Sequence, residues 1–328
     1  MGGDLRFTPV SGEISAGHVQ SLPQALIVTP VAAYHAVHVI LFRAMTFYAT
    51  PLLRNLRFAV AGLAAALVLT ACATSAAGPN ADSLAAAVAG PQRGDAAKAR
   101  DVYRHPQATL QFFELAPTQT VLEIAPGGGW YTDILAPYLR DHGTLYEAQY
   151  NGPSAGAAAE EQSGRAAFTR KLAANPAIYG TVLVGTLHDG QFNGFPANGN
   201  VDRVLTFRNI HNWIKDGQID ANLQAFYRAL KPGGMLGVEE HRAAPGTSLQ
   251  QMIDSGYVTE AYVIEHAQAA GFQLDGRSEI NSNPRDTKDY PHGVWSLPPT
   301  YEGGDVDRAR YAAIGESDRM TLRFIKPR

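Results

Sequence analysis

Three consecutive glycines, Gly127, Gly128 and Gly129, follow an apolar run that carries one acid, Glu123, and precede a helix-like pattern from Trp130. A strand, a glycine turn and a helix make a unit that holds a nucleotide-like ligand. Without a Cβ the backbone closes on the ligand, and the amides at the helix start face it. Further chemistry follows later apolar runs. Arg208, Asn209, His211, Asn212 and Trp213 come after one, and Glu240 and His241 after the next. Imidazole exchanges protons near neutrality, so His211, with His241 behind it, is the candidate general base; a hydrogen-bonded wall residue is the alternative. Tyr103, Arg104 and His105 precede the first helix and are placed to close a pocket from the N-terminal side. Tyr103 joins His211 as a candidate catalytic group. Arg104, His105, Trp213 and His241 are candidate substrate contacts. Arg104 suits an anionic substrate and equally a local carboxylate. Trp213 and Trp295 suit a flat substrate and equally a core. His188, Asp189 and Asp202 do not make a metal-ligand constellation, and no metal is expected.

These groups need a frame. Strand-like and helix-like runs alternate: a helix over Pro106–Leu115, a strand over Thr120–Ala125, a helix over Trp130–Arg140 and a strand over Thr144–Gln149. A helix over Gly164–Ala174 precedes strands at Thr181–Thr186 and Val201–Phe207. A helix from Gln218 to Leu230 leads through Lys231-Pro-Gly-Gly234, expected as a tight turn, into a strand at Met235–Glu240. A helix at Thr259–Ala270 and strands at Phe272–Ile280 and Met320–Ile325 complete the pattern. Alternation of this kind implies a mainly parallel sheet with helices on both faces. Ligands of such sheets bind beyond the carboxyl ends of the strands, where the residues above lie. The segment 281–318, with Pro284, Pro291, Pro298, Pro299, Gly303 and Gly304, is long for a loop. It is expected as a lid over the site, with a solvated excursion of no role as the alternative.

Two glycine-loop readings compete. A dinucleotide fingerprint needs a third glycine, where this chain has Thr132. The other has more support along the chain. Val121-Leu-Glu-Ile-Ala-Pro-Gly-Gly-Gly129 resembles the first motif of class I S-adenosylmethionine-dependent methyltransferases. Phe192-Asn-Gly-Phe-Pro196, Val201-Asp-Arg-Val-Leu-Thr-Phe207, Asn209-Ile-His-Asn-Trp213 and Leu230-Lys-Pro-Gly-Gly-Met-Leu-Gly-Val-Glu239 resemble later parts of that family in order. Tyr103-Arg-His-Pro106 and Pro126-Gly-Gly-Gly-Trp-Tyr131 resemble a bacterial group of signal-bearing methyltransferases. The resemblance spans about residues 100–328. It implies a Rossmann-like, doubly wound, seven-stranded, mostly parallel sheet with an antiparallel last strand. It implies S-adenosyl-L-methionine as cofactor, held by Glu123, Ala125, Gly127, Gly128, Gly129, Gln149 and Asn209, and methyl transfer to a small-molecule acceptor. The chain departs from the family at the second strand, where Gln149 stands in place of the acid that takes the ribose hydroxyls; Glu147 lies on the same face one strand repeat earlier.

The 328 residues are 45% hydrophobic and 17% charged, an ordinary globular balance, with a formal charge of −3. No basic patch or arginine-rich run is present, so no nucleic-acid partner is expected. Residues 1–71 carry a charge of +2, leaving the remainder acidic. The single cysteine, Cys72, excludes a disulfide within the chain. Arg54 and Arg57, the apolar run from Phe58 and Leu69-Thr-Ala-Cys72 resemble a bacterial lipoprotein signal. That implies cleavage, lipidation of Cys72 and a lipid anchor to the membrane on the periplasmic side, with Ala73 resembling the outer-membrane-directed class; an uncleaved signal anchor is the alternative. The expected organisation is an upstream extension over 1–44 that is not native, a signal over 45–72, a flexible tether over 73–99 with a helical turn near Leu84–Val88, and a catalytic domain over 100–328. Export leaves a second function open, a non-catalytic lipoprotein that uses the fold for binding or scaffolding. A nicotinamide-dependent dehydrogenase is disfavoured by Thr132 and Glu123.

Overall fold

A computed structural model of the protein describes residues 83–151 and 158–328. The signal-like run, Cys72 and the extension before it lie outside the described residues. Among the described residues no helix is long and apolar enough to cross a membrane.

Eight strands form one sheet: β1 Thr120–Ile124, β2 Thr144–Tyr150, β3 Leu183–His188, β4 Gln191–Asn193, β5 Val201–Phe207, β6 Leu230–His241, β7 Gln273–Ser278 and β8 Arg319–Ile325. Their order is β4-β3-β2-β1-β5-β6-β8-β7. Strands β3, β2, β1, β5 and β6 are mutually parallel. Strand β8 enters antiparallel between β6 and β7. The fold is thus α/β and Rossmann-like, with the expected antiparallel last strand.

Strand β1 lies at the centre because its run is apolar on both faces, as a parallel strand covered by helices must be. Leu122 and Ile124 join the core under the helices at Ile210–Lys215, Ile219–Ala229 and Glu260–Ala269. Val121 faces the opposite core, with Leu110, Ile134 and Leu135. At its start the Thr120 amide donates to Asp202 Oδ2 at 2.8 Å, which locks the entry of β1 to that of β5.

Three expectations change. The sheet has eight strands rather than seven. The extra one is β4, turned back by Asp189 and Gly190, whose φ angles are 46° and 66°. His188 pairs with Gln191 across that two-residue loop, the geometry of a type I′ hairpin. The expected turn at Lys231-Pro-Gly-Gly234 is instead part of a twelve-residue β6. Its register against β5 jumps between Val201↔Leu230 and Arg203↔Met235, so the glycines form a bulge.

Third, the folded body does not wait until residue 100. Leu84–Ala89 is a helix capped by Ser83 Oγ, and it buries Leu84 and Ala87. The buried Arg93 forks onto Asp101, with Nη1 to Oδ2 at 2.8 Å, and its guanidinium lies 4.7 Å over the Trp130 ring. Small alanines allow close docking. The helical turn expected near Leu84–Val88 is present, but six residues are too few to show an apolar face, which is why the segment reads as a tether rather than as part of the folded body.

The segment 281–318 is also built rather than loose. A 3-10 turn at Gly293–Ser296 and a helix at Arg308–Ile314 enclose Tyr290, Val294, Leu297 and Tyr311 against Ala243 and Tyr257. The Tyr257 hydroxyl donates to the buried Asp286 at 3.0 Å, and the Asp318 amide donates to the same carboxylate at 2.7 Å.

Candidate functional site

The glycine loop leaves β1 with Ala125, Gly127 and Gly129 at φ of 50°, 57° and 78°. A Cβ at Gly127 or Gly128 would meet no heavy atom within 4 Å, so this face of the loop is open to a ligand. At Gly129 a Cβ would come within 2.9 Å of the Phe168 ring. Lys171 holds the loop from outside, donating to Gly128 O at 2.9 Å and pairing with Asp133 at 2.7 Å.

Under the loop, Glu123 and Glu147 face each other directly in the β1–β2 register, and both are buried. Thr132 Oγ1 donates to Glu123 Oε2 at 3.0 Å. Burial pushes Glu123 up to about 7, and burial with the neighbouring Glu123 pushes Glu147 well above the usual carboxylate range. Two ionised carboxylates do not share such a site, so the pair keeps a proton at neutral pH. Gln149, at the end of β2, is buried and turns its amide to the Arg165 carbonyl at 3.4 Å. Asn209 ties strand ends together: its Nδ2 donates to Ile124 O at 2.9 Å and to Thr206 Oγ1 at 3.1 Å.

A second group of side chains gathers beyond β5 and β6. The carboxylate of Glu240 accepts from the Ile210 amide at 2.6 Å and from the His241 amide at 2.8 Å. Its Oε1 also lies 3.0 Å from His211 Nδ1. A carboxylate only accepts, so the neutral His211 ring has its proton on Nδ1 and its lone pair on Nε2. His241 Nδ1 lies 2.6 Å from Ser317 Oγ, and its ring centre is 5.4 Å from that of His211. Desolvation, with His211 and Arg208 nearby, holds His241 well below its ordinary value.

Beside them runs an ion network. Glu239 Oε1 meets Arg208 at 3.0 Å and Arg319 at 3.2 Å, while the Tyr131 hydroxyl donates to its Oε2 at 2.9 Å. Glu316 receives Arg100 at 2.6 Å, Arg104 at 3.0 Å and Arg319 at 3.2 Å. Burial alone would raise both carboxyls, but the arginines outweigh it: Glu239 lies below the usual range and Glu316 falls to about 2. Burial, with Arg208 next, lowers Arg104 to about 9. A cavity of about 260 Å³ opens on this network, lined by Arg100, Arg104, Arg208, His211, His241 and, from the 281–318 segment, Trp295.

The structure therefore gathers His211, His241 and Arg104, and the expected lid forms one wall. It does not gather the others. The Tyr103 ring packs on Gly315, and only its backbone carbonyl reaches the network, through Arg319. His105 is exposed, with φ of 39°, and its Nδ1 lies 3.3 Å from Asn281 Oδ1. Trp213 is fully buried against Phe226 and belongs to the core. Glu240 and Arg208, singled out at the strand ends but given no role, join the site, and Arg100 and Glu316 are functional candidates that the sequence reading missed. Glu316 has Arg319 three residues on, but its other partners, Arg100 and Arg104, are over 200 residues away and give no local signal. His211, Glu240 and His241 can each bring one ligand atom within 4.8 Å of the others, a spacing that could hold a metal ion. Glu240 is already engaged by His211 and two amides, and the neighbouring arginines oppose a cation there.

No family model matches the chain, and no curated protein matches it. Similar solved structures include a SAM-dependent methyltransferase from Aquifex aeolicus, 16% identical over 70% of this chain and 93% of that one, with a TM-score of 0.46. The [4+2]-cyclase SpnF is 17% identical over 74% and 91%, with a TM-score of 0.49. Phosphoethanolamine N-methyltransferase 2 of Haemonchus contortus, in complex with S-adenosyl-L-methionine, is 17% identical over 69% of this chain, with a TM-score of 0.47. This chain spans 53% of that nematode protein. At TM-scores below 0.5 these likenesses carry no functional argument, and the fold class rests on the strand order.

Proposed function

We propose that the protein is an S-adenosyl-L-methionine-dependent methyltransferase acting on a small molecule. One observation carries this: an open glycine loop above a buried acid stands at the same sheet end as a cavity with a carboxylate-oriented histidine. The open space over Gly127 and Gly128 fits close approach of a ligand to the backbone, and the Glu123–Glu147 pair gives the loop a polar floor. When bound, S-adenosyl-L-methionine supplies an electrophilic methyl group. His211 Nε2 takes the proton that the acceptor nucleophile must lose, and Glu240 stabilises the imidazolium that results. The 281–318 segment supplies one wall of the cavity, and alignment of the acceptor against it supplies much of the remaining acceleration.

Calorimetric titration of the full chain with S-adenosyl-L-methionine and S-adenosylhomocysteine tests this. Binding that Gly127→Val abolishes is the expected result. No heat from either ligand with folded protein overturns the proposal. Binding without turnover on any acceptor would favour the non-catalytic binding module instead. The export signal is a separate proposal: Cys72 carries the lipid, and fatty-acid labelling in bacterial cells should disappear in Cys72→Ser.

A further inference from the structure

The cavity beside His211 has an unusual charge balance. Four guanidiniums, from Arg100, Arg104, Arg208 and Arg319, surround the carboxylates of Glu239 and Glu316. Counting Glu240, whose oxygens are engaged by His211 and two amides, leaves four cations to three anions. Arg100, Arg104 and Arg208 line the cavity together with Glu316, while Arg319 is not part of the lining, so the cations outnumber the carboxylate on the cavity wall. Arg100 uses Nε on Glu316, and its Nη2 is buried with no hydrogen-bond partner among the described residues. A buried guanidinium nitrogen without an acceptor is costly, and an oxyanion is the group that would satisfy it. Arg104 is almost fully buried and lies 4.7 Å over the Trp130 ring, so its direction is set before any ligand arrives. The opposite wall is apolar: Val294, Trp295, Pro298 and Pro299.

We infer that this cavity binds the carboxylate or phosphate of a small acceptor whose apolar, flat body lies against Trp295 and the two prolines. This inference rests on the methyltransferase proposal for the acceptor's role, but the anion site has its own readout. Arg100 and Arg208 clamp the oxyanion, and the rest of the acceptor extends toward His211. The volume is at the small end of ligand pockets, which suits a single-ring or short-chain acid.

The test uses the full chain at neutral pH and fixed ionic strength, without S-adenosyl-L-methionine. Benzoate, phenyl phosphate and uncharged benzamide are titrated by calorimetry. The expected order places benzoate or phenyl phosphate at least about tenfold tighter than benzamide, and the preferred anion tells a carboxylate acceptor from a phosphate one. Arg100→Gln should remove that preference. Because Arg100 also pairs with Glu316, a second pair of variants sits on exposed Thr300, which lines the same cavity without being a member of the ion network. Thr300→Glu should weaken anion binding roughly tenfold and Thr300→Lys should strengthen it. Equal binding of all three probes, or no response to charge at Thr300, overturns the inference. Anion binding in a protein that shows no heat with S-adenosyl-L-methionine supports the anion site and sinks only the methyl-transfer proposal. Cofactor binding without anion preference does the reverse.

Discussion

The bond between His211 and Glu240 decides which imidazole nitrogen is basic, and so which face of the ring can do chemistry. His211→Asn is expected to lower kcat by about 100-fold or more while leaving cofactor affinity within about twofold. Glu240→Gln replaces an acceptor-only group with one that also donates, which lets the ring reverse its tautomer; kcat should fall at least about tenfold. Steady-state kinetics with parallel cofactor titrations separates these effects from misfolding. Glu316 gives a pH prediction. Its folded carboxyl lies at about 2 against an ordinary 4.5, so its contribution to stability is complete above the ordinary value and is lost as pH falls from 4.5 toward 2. The amount is on the order of 3 kcal/mol, and urea unfolding of Glu316→Gln should show little further loss across that window. His211 and Arg104 were legible because they sit at a strand end and before a helix. Arg100, Glu316 and the unsatisfied Nη2 were not, because partners so distant along the chain meet only after folding.

Among the elements, the helix at Leu84–Ala89 and the segment after it make the clearest prediction. Arg93 is buried with its charge met by Asp101 and its face on Trp130, so Arg93→Ala removes both a paired charge and a packed stem. Urea denaturation should show a loss of about 2–4 kcal/mol. A chain shortened to begin at residue 100 should lose more, while one beginning at residue 80 should match the full chain. The parallel strands were legible from their apolar runs, and a mainly parallel sheet followed from the alternation of elements, but the order of strands was not, because it is set by pairing between distant segments. The β3–β4 hairpin was missed although its signal was local: Asp189-Gly190 is a strong two-residue turn. Its three-residue return strand was too short to show a period. The bulge in β6 was read as a turn because glycines permit both, and only pairing with β5 distinguishes them.

For the whole molecule, segment 281–318 matters most. Segments of its length and proline content are read as mobile covers, yet this one has a core of its own. It is fastened by Asp286 to Tyr257 and by Asp318 to Arg242 at 2.8 Å. It acts as a fixed wall of the cavity, and its exposed side lies at residues 302–310. Limited trypsin digestion of the native protein should cut at Arg308 or Arg310 before Arg285 or Lys288, with the fragments remaining associated on gel filtration. Early cleavage at Lys288 would show that the wall opens.

The Glu123–Glu147 pair has a consequence for how any binding heat is measured. Burial holds both carboxyls above the usual range, so the pair is expected to retain a proton at neutral pH, and the ligand proposed for the loop above them brings an ammonium and a sulfonium. A cation arriving nearby favours the ionised state of both acids, so binding should expel up to one proton into the solvent. The apparent enthalpy would then depend on the ionisation enthalpy of the buffer, with a slope equal to the protons released. Titrations in phosphate and in Tris should differ for the native chain and agree for Glu147→Gln, which makes the buried pair an internal counter of cofactor occupancy.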